Sequence, residues 1–351
     1  MEITPSDMAA MLDGNRFQHG SFLRALDDRP RLPWRVEVSP SRVFAGRYCQ
    51  ITLCFHIDET PLQTGARVVI KSGQWLGGNR HKYNAKTYQT RDPKADAYVR
   101  AATSGGVGLA VAIRGKGEDR FCHDMICVTN TGAHLKRGES LTVVIGDQAA
   151  SRGILAQEYS AHERFFVAID PTGKGGFGKI TPDPTVEFIG NDASRLVGYA
   201  PATPDAGDSS RVTIAAVDSV HNNPDYHYDG AVHVSWEGDG MERHIFPGDH
   251  GIAAVDVPSF AAGDIHRVIV RDSERKPIGM SNPIVPEFLP DGYRAFFGDM
   301  HGHNEECDGG GSLEDYFRWG RDVLNLDFCA VSPHSDQRHT RVFWTPDTKS
   351  A

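Results

Sequence analysis

Long apolar runs, blocks of one charge and a dense set of cysteines are all missing from this 351-residue chain. No segment reaches the ~18 uninterrupted apolar residues of a membrane span. The first twenty residues have neither a basic start nor an apolar stretch of the kind that directs export. There is no Lys/Arg run, and 37 basic against 46 acidic residues leave a net charge of −9, so no footprint for nucleic acid or an anionic membrane is offered. Six cysteines (Cys49, Cys54, Cys122, Cys127, Cys307 and Cys329) are too few and too scattered for a disulfide framework. Two pairs are spaced five apart, which in a strand sets the partners on opposite faces, so they read as small apolar fillers. Together these absences predict a cytoplasmic chain with neither nucleic-acid nor membrane partners.

What is present is an ordinary globular mixture, 39% hydrophobic and 24% charged, at a length that suits two or three cores. Residues 1–33 read as a helical leader: Thr4 and Asp7 fit a capping box, Pro5 the first turn and Gly14 the exit, and a second short helix starts at Ser21. From Arg35 the periodicity changes to two. In RYCQITLCFHI, Cys49, Ile51, Leu53, Phe55 and Ile57 alternate with Gln50, Thr52, Cys54 and His56, the pattern of a half-buried strand. Similar runs recur at ARVVIK, DAYVRAATS, GLAVAIRG, FCHDMICVT, LTVVIGD and RFFVAID, which predicts an antiparallel β-sandwich over 34–190. The Pro/Gly/Asp/Ser content of 191–210 reads as a linker. Strand patterns resume in 211–288 with VTIAAVDS, GAVHVSWEG, GIAAVDV and HRVIVRD, an immunoglobulin-like sandwich without the Cys or Tyr markers of that fold.

After residue 289 the grammar changes. YRAFFGDMHGH is an apolar strand that turns polar at its C-terminal end. SLEDYFRWGRDVLN is a helix with Ser312 as N-cap and Asp315 closing the capping box. LDFCAVS is a continuous apolar run, the pattern of a strand buried on both faces. Strand, helix, strand predicts a βαβ unit with parallel pairing.

The densest chemistry lies in FGDMHGHNEECDGGGS. His301 and His303 stand two apart at a strand end, so both imidazoles leave one face and can converge on a metal ion. The spacing alone decides little, because sixteen histidines in 351 residues give about 0.7 such pairs by chance. Asp308 follows in a glycine-rich turn and adds a hard oxygen ligand. His334 lies just past the next strand, and parallel strands bring their C-terminal ends to one edge. Other motifs are weaker. GKGGFGK matches a phosphate-loop spacing, but Ile180 replaces the hydroxyl and Pro182 and Pro184 forbid the following helix, so it reads as a turn. His221, Asp225 and His227 gather in a loop-like segment. Residues 71–96 form a long polar connection carrying Trp75, His81, Tyr83 and Tyr88.

The stretch from Phe297 to Asp336 resembles the opening of the PHP (polymerase and histidinol phosphatase) superfamily of metal-dependent phosphoesterases. Its first motif is matched by His301, His303 and Cys307-Asp308-Gly309, its second in part by Pro333-His334. With WLGGNRHKYNAKTYQTRDPKADAYV and ERFFVAIDPTGKG, the whole resembles a bacterial domain-of-unknown-function family that ends in such a domain. The resemblance implies a (β/α) barrel holding two or three divalent ions, Zn, Mn or Fe, with His301, His303, Asp308 and His334 as ligands. Asp299 would serve as an acceptor for an imidazole N–H, and metal-activated hydroxide would attack a small-molecule phosphoester. Pro333 stands where the superfamily carries Asp, and a barrel needs ~200 residues where about sixty are present. The expectation is therefore a mainly β chain: two antiparallel sandwiches followed by the first βαβ unit of an incomplete barrel at 289–351. It would be an inactive piece of a hydrolase, or alternatively a non-catalytic interaction module.

Overall fold

A computed structural model describes residues 29–72, 88–114, 125–204, 209–236, 241–245, 250–262, 264–286, 292–303 and 312–332. The expected helical segments at Thr4–Gly14 and Ser21, and most of the 71–96 connection, lie outside the described residues.

The chain is mainly β. Its first thirteen strands are β1 (Arg35–Ser39), β2 (Arg42–Phe44), β3 (Tyr48–Cys49), β4 (Ile51–His56), β5 (Arg67–Ser72), β6 (Val99–Thr103), β7 (Leu109–Arg114), β8 (Met125–Asn130), β9 (Ser140–Ile145), β10 (Ile154–Leu155), β11 (Ala161–Asp170), β12 (Gly178–Lys179) and β13 (Thr185–Ile189). They form one sheet in the order β1-β4-β9-β6 and a second in the order β2-β13-β11-β5-β8-β7, with β12 also on β11 and a small β10–β3 ribbon. All pairs are antiparallel except β13 with β2. The period of two explains the packing: Ile51, Leu53 and Phe55 of β4 are buried while Thr52, Cys54 and His56 are half-buried. Their inward faces share one core with Val68 and Ile70 of β5 and Phe165, Val167 and Ile169 of β11. Each such side chain contributes about 1.5–3 kcal/mol through burial. Tyr88, at the end of the polar connection, is also buried in this core.

The next seven strands are β14 (Arg195–Tyr199), β15 (Ser210–Val217), β16 (Ala231–Ser235), β17 (Met241–Ile245), β18 (Ile252–Val257), β19 (Ile269–Arg271) and β20 (Pro277–Met280). Sheets β14-β15-β18 and β17-β16-β19-β20, antiparallel throughout, close over a separate core that includes Val212, Ile214, Val232, Val234, Val268 and Val270. The 191–210 stretch, expected as a linker, contains β14. The short apolar run RLVGY pairs along β15, with Val197 opposite Ala215, and forms the edge of the sheet.

The two sandwiches meet along a polar seam. Asn191 Nδ2 donates to Ala45 O at 2.9 Å and to Asp218 Oδ2 at 3.2 Å. Asn223 Nδ2 donates to Glu158 O at 2.8 Å and Asp218 Oδ2 at 3.1 Å, while Asn223 Oδ1 accepts from Ser160 N at 2.7 Å.

Beyond the second sandwich lie β21 (Gly298–Gly302), a short helix α1 (Leu313–Arg318) that continues into a π-helical turn at Trp319–Val323, and β22 (Phe328–Val331). Ser312 caps α1 by accepting from Asp315 N, as the capping-box pattern predicts. β21 and β22 pair in parallel, Gly298 opposite Phe328. The reading of β22 as a strand buried on both faces is corrected here: its pattern alternates exposed and half-buried, with Phe328 42% exposed. Among the described residues only β21 pairs with it, which leaves much of its surface in solvent.

Asn325 fixes this unit to the second sandwich. Its Nδ2 donates to Tyr199 O at 2.7 Å and Thr213 Oγ1 at 3.2 Å, and Thr213 Oγ1 donates to Asp322 O at 3.4 Å. Its φ of +49° suits Asn far better than a residue with an ordinary Cβ and no local hydrogen bonding. Asn325→Ala removes two hydrogen bonds and adds backbone strain, so docking of α1 should weaken by about 1–2 kcal/mol. Faster amide exchange confined to 313–323 is the expected readout; unchanged exchange would contradict it.

Candidate functional site

His301 and His303 extend from the C-terminal end of β21 on the same side, with ring centroids 4.8 Å apart and planes tilted by 56°. His301 is exposed and His303 half-buried. Asp299 Oδ1 accepts from the backbone N–H of His301 at 2.9 Å. Its carboxylate also faces Tyr316, whose hydroxyl is pushed up to about 12 by burial first and by hydrogen bonding to Asp299 second. Asp299 thus orders the backbone at His301 and the helix above it. Asp308 and His334 lie outside the described residues, as do Pro333 and the glycine-rich turn. Among the described residues no group of three or more His, Cys, Asp or Glu is placed to hold a metal ion.

A second feature was not visible in the sequence. A cleft of about 630 Å³ opens where both sandwiches and the α1 segment come together. Tyr159, His162 and Glu187 come from the first sandwich, His221, Tyr226 and His250 from the second, and Tyr316, Trp319 and Asp322 from the helical unit. Each pairing has a physical cause. His221 Nε2 lies 2.9 Å from Glu158 Oε2 and its ring sits 4.5 Å from that of Tyr159. Arg42 Nε donates to Glu187 Oε2 at 2.8 Å, its Nη2 donates to Tyr226 Oη at 2.6 Å, and its guanidinium stacks 4.2 Å over the Tyr226 ring. Tyr226 in turn meets His250 edge-on at 4.3 Å. Trp319 stands 38% exposed on the third wall.

The weaker motifs resolve into scaffolding. The triplet His221, Asp225 and His227 does not converge on one point: Asp225 is buried and accepts from Ala193 N at 2.9 Å and His227 N at 3.0 Å. GKGGFGK closes the hairpin between β11 and β12, where the buried Asp170 carboxylate accepts from Gly173 N at 3.0 Å and Gly175 N at 2.7 Å. Cys49 is buried, and burial pushes its thiol up to about 12, consistent with a filler. Cys54, Cys127 and Cys329 are half-buried; Cys122 and Cys307 lie outside the described residues. No helix among the described residues is long and apolar enough to cross a membrane.

No family model matches the chain, so the resemblance at Phe297–Asp336 finds no support from that side. No curated protein matches it either. Among solved structures it is similar to the D0–D1 domain of intimin, at 10% identity over 71% of this chain and 96% of that one, TM-score 0.19. It is also similar to the type II cohesin dyad from the adaptor ScaA scaffoldin of Acetivibrio cellulolyticus, at 7% identity over 71% and 97%, TM-score 0.26. A third is a structure named BspA_C_mut, at 8% identity over 72% and 97%, TM-score 0.28. Scores this low carry no argument about function, and the β-sandwich architecture rests on the sheets themselves.

Proposed function

We propose that this chain works as a β-sandwich interaction module, with the cleft between the two sandwiches and α1 as its binding surface. The observation that carries this reading is the joint construction of the cleft. Two sandwiches with separate cores and the helical unit docked on the second contribute its walls, and hydrogen bonds across the seam hold the two sandwiches in register. Concave sites between packed units, lined by aromatic rings with a few convergent polar groups, are the commonest form of ligand pocket. The test is to probe peptide and glycan arrays with the folded chain and with a Trp319→Ala variant of unchanged circular dichroism. Retention of a probe by the first and its loss from the second supports the reading; retention by neither sinks it.

The pairing of His301 with His303 favours a second reading, a metal-dependent phosphoester hydrolase. Two imidazoles suit a borderline ion such as Zn, Mn or Fe and would supply half of a four-ligand sphere. Asp308 and His334 are the proposed remainder. A bound ion would supply water of lowered pKa. Of this chain's own groups, Asp299 orders the backbone of His301, and Tyr316 keeps its proton through the neutral range. Metal content of the purified chain should then fall in a His301→Ala/His303→Ala double variant, with loss of any hydrolysis of bis(p-nitrophenyl) phosphate. Equal metal content in the two proteins would count against this reading.

A further inference from the structure

We infer that Tyr316 is a positioning residue for the His301–His303 pair, bracing the strand between the two imidazoles; the inference rests on the metal-dependent reading and adds to it a residue outside the proposed ligands. The contact that carries it falls on Gly302, which is buried between the exposed His301 and the half-buried His303. A Cβ at Gly302 would overlap Cζ, Oη and Cε2 of Tyr316. The tyrosine ring therefore fills the space a side chain at 302 would need, and lies directly against the backbone there. Alternation along a strand turns the Cβ direction of residue 302 away from those of 301 and 303. Tyr316 thus backs the strand on the face opposite the imidazoles.

Tyr316 is itself fixed at both ends. In the first turn of α1 its N–H donates to Ser312 O at 3.1 Å, and Ser312 Oγ accepts from Asp315 N at 3.1 Å. At the far end its hydroxyl donates to Ala330 O of β22 at 3.1 Å and lies beside Asp299, whose Oδ1 accepts from the His301 N–H at 2.9 Å. β22 closes the frame: Ser332 N donates to Gly302 O at 2.8 Å and Ser332 Oγ to Met300 O at 3.0 Å. The register of β21 against β22 shifts between Asp299 and Gly302, so the strand ladder alone does not set how the two rings are presented. The tyrosine ring supplies the support that this irregular pairing leaves out, and the imidazoles stand 4.8 Å apart. Groups that orient metal ligands without touching the ion are worth about 10–100-fold in metal affinity.

The experiment titrates the whole chain with cobalt(II), read by its visible absorption and by competition with zinc(II), beside the His301→Ala/His303→Ala double variant. The native chain should bind, with affinity lowered about 10–100-fold and an altered band shape in Tyr316→Ala and in Gly302→Ala. Tyr316→Phe keeps the ring against Gly302 and gives up one hydrogen bond, so it should restore the native band shape and an affinity within about threefold. A tyrosine that served stability alone would lower the thermal midpoint and leave the band unchanged. Without metal, the nuclear Overhauser effect between the rings of His301 and His303 should vanish in Tyr316→Ala and persist in Tyr316→Phe, with the signals of β4 and β15 as the check on folding. Native affinity and band shape in Tyr316→Ala, or survival of its ring-to-ring signal, would overturn the inference and leave the metal reading standing. No cobalt bound by the native chain, or equal binding by the double-histidine variant, would sink both.

Discussion

Asp218→Ala is expected to cost about 3–5 kcal/mol of stability, the largest loss among the substitutions considered. The carboxylate is 1% exposed and accepts from an unusual number of donors at the seam between the sandwiches. Oδ1 receives the backbone N–H groups of Val220 at 3.1 Å, His221 at 3.2 Å and Asn223 at 3.0 Å; Oδ2 receives the Asn191 N–H and the side-chain amides of Asn191 and Asn223. Alanine would strand several of these donors away from water, and the loop from Asp218 to Asn223 would lose its template. Urea unfolding at pH 7 measures the loss, and a difference below 1 kcal/mol would refute the account.

The same carboxylate fixes a pH dependence. Burial pushes its pKa up, but the hydrogen bonds from Asn223 and Asn191 together outweigh burial and hold it below the ordinary value. A group with a depressed folded pKa contributes stability in full above its unfolded value, ~3.9 for Asp, and loses it as the pH falls from there through the folded value. The gap between the native chain and Asp218→Asn should therefore be constant from pH 5 to 8 and shrink below about pH 4. A gap that grew on acidification would assign the wrong sign to the seam.

How far the sequence revealed the molecule depended on whether a signal was local. Phe55 and its neighbours in β4 announce themselves because the period of two repeats over six residues and one face alone is buried. Ser312 and Asp315 mark the start of α1 for the same reason: a cap is a contact over three residues. β14 was hidden inside an expected linker because five residues at a sheet edge carry little periodicity, and its partner β15 supplies the order from a dozen residues away. The parallel pairing of β2 with β13 joins residues 145 positions apart, as in Arg42 and Glu187, and nothing in either segment announces it. The exposure of β22 was misread because an apolar run reports what a strand would bury and is silent on whether a neighbour is there.

The candidate sites divide in the same way. The pair His301 and His303 was legible, since spacing of two in a strand is itself the geometry that brings the rings to 4.8 Å. The cleft was not, because residues such as Tyr159, Tyr226 and Trp319 are unremarkable in sequence and meet only through the seam. The triplet His221, Asp225 and His227 was the one local trace of it. Its apparent metal-like composition misled: Asp225 serves backbone N–H groups, and His221 alone of the three lines the cleft.

That dependence of the cleft on the seam gives the second large expected effect, from a substitution at a seam glycine that itself lines the cleft. Gly190→Ala should destabilise the chain by about 1–3 kcal/mol and weaken cleft binding together. A Cβ at Gly190 would overlap Pro224 O and lie 2.7 Å from Pro224 C and 2.8 Å from Asn223 O. All three are backbone atoms of the second sandwich's seam loop, so no flexible side chain can swing aside. Relief requires that loop to retreat from the first sandwich. The retreat stretches the Asn223 amide bond to Glu158 O, now 2.8 Å, and the Ser160 N–H bond to Asn223 Oδ1, now 2.7 Å. Tyr226 rides on the same loop, and its hydroxyl and ring would draw away from the Arg42 guanidinium, which stays on Glu187 within the first sandwich. Gly176→Ala is the matched control, since a Cβ there meets nothing within 4 Å and should change stability by less than about 0.5 kcal/mol. Urea unfolding of both variants, with titration of whichever array probe the native chain retains, separates the outcomes. Loss of stability and affinity together in Gly190→Ala places the ligand between the sandwiches, whereas full affinity in a destabilised variant would move it elsewhere on the surface.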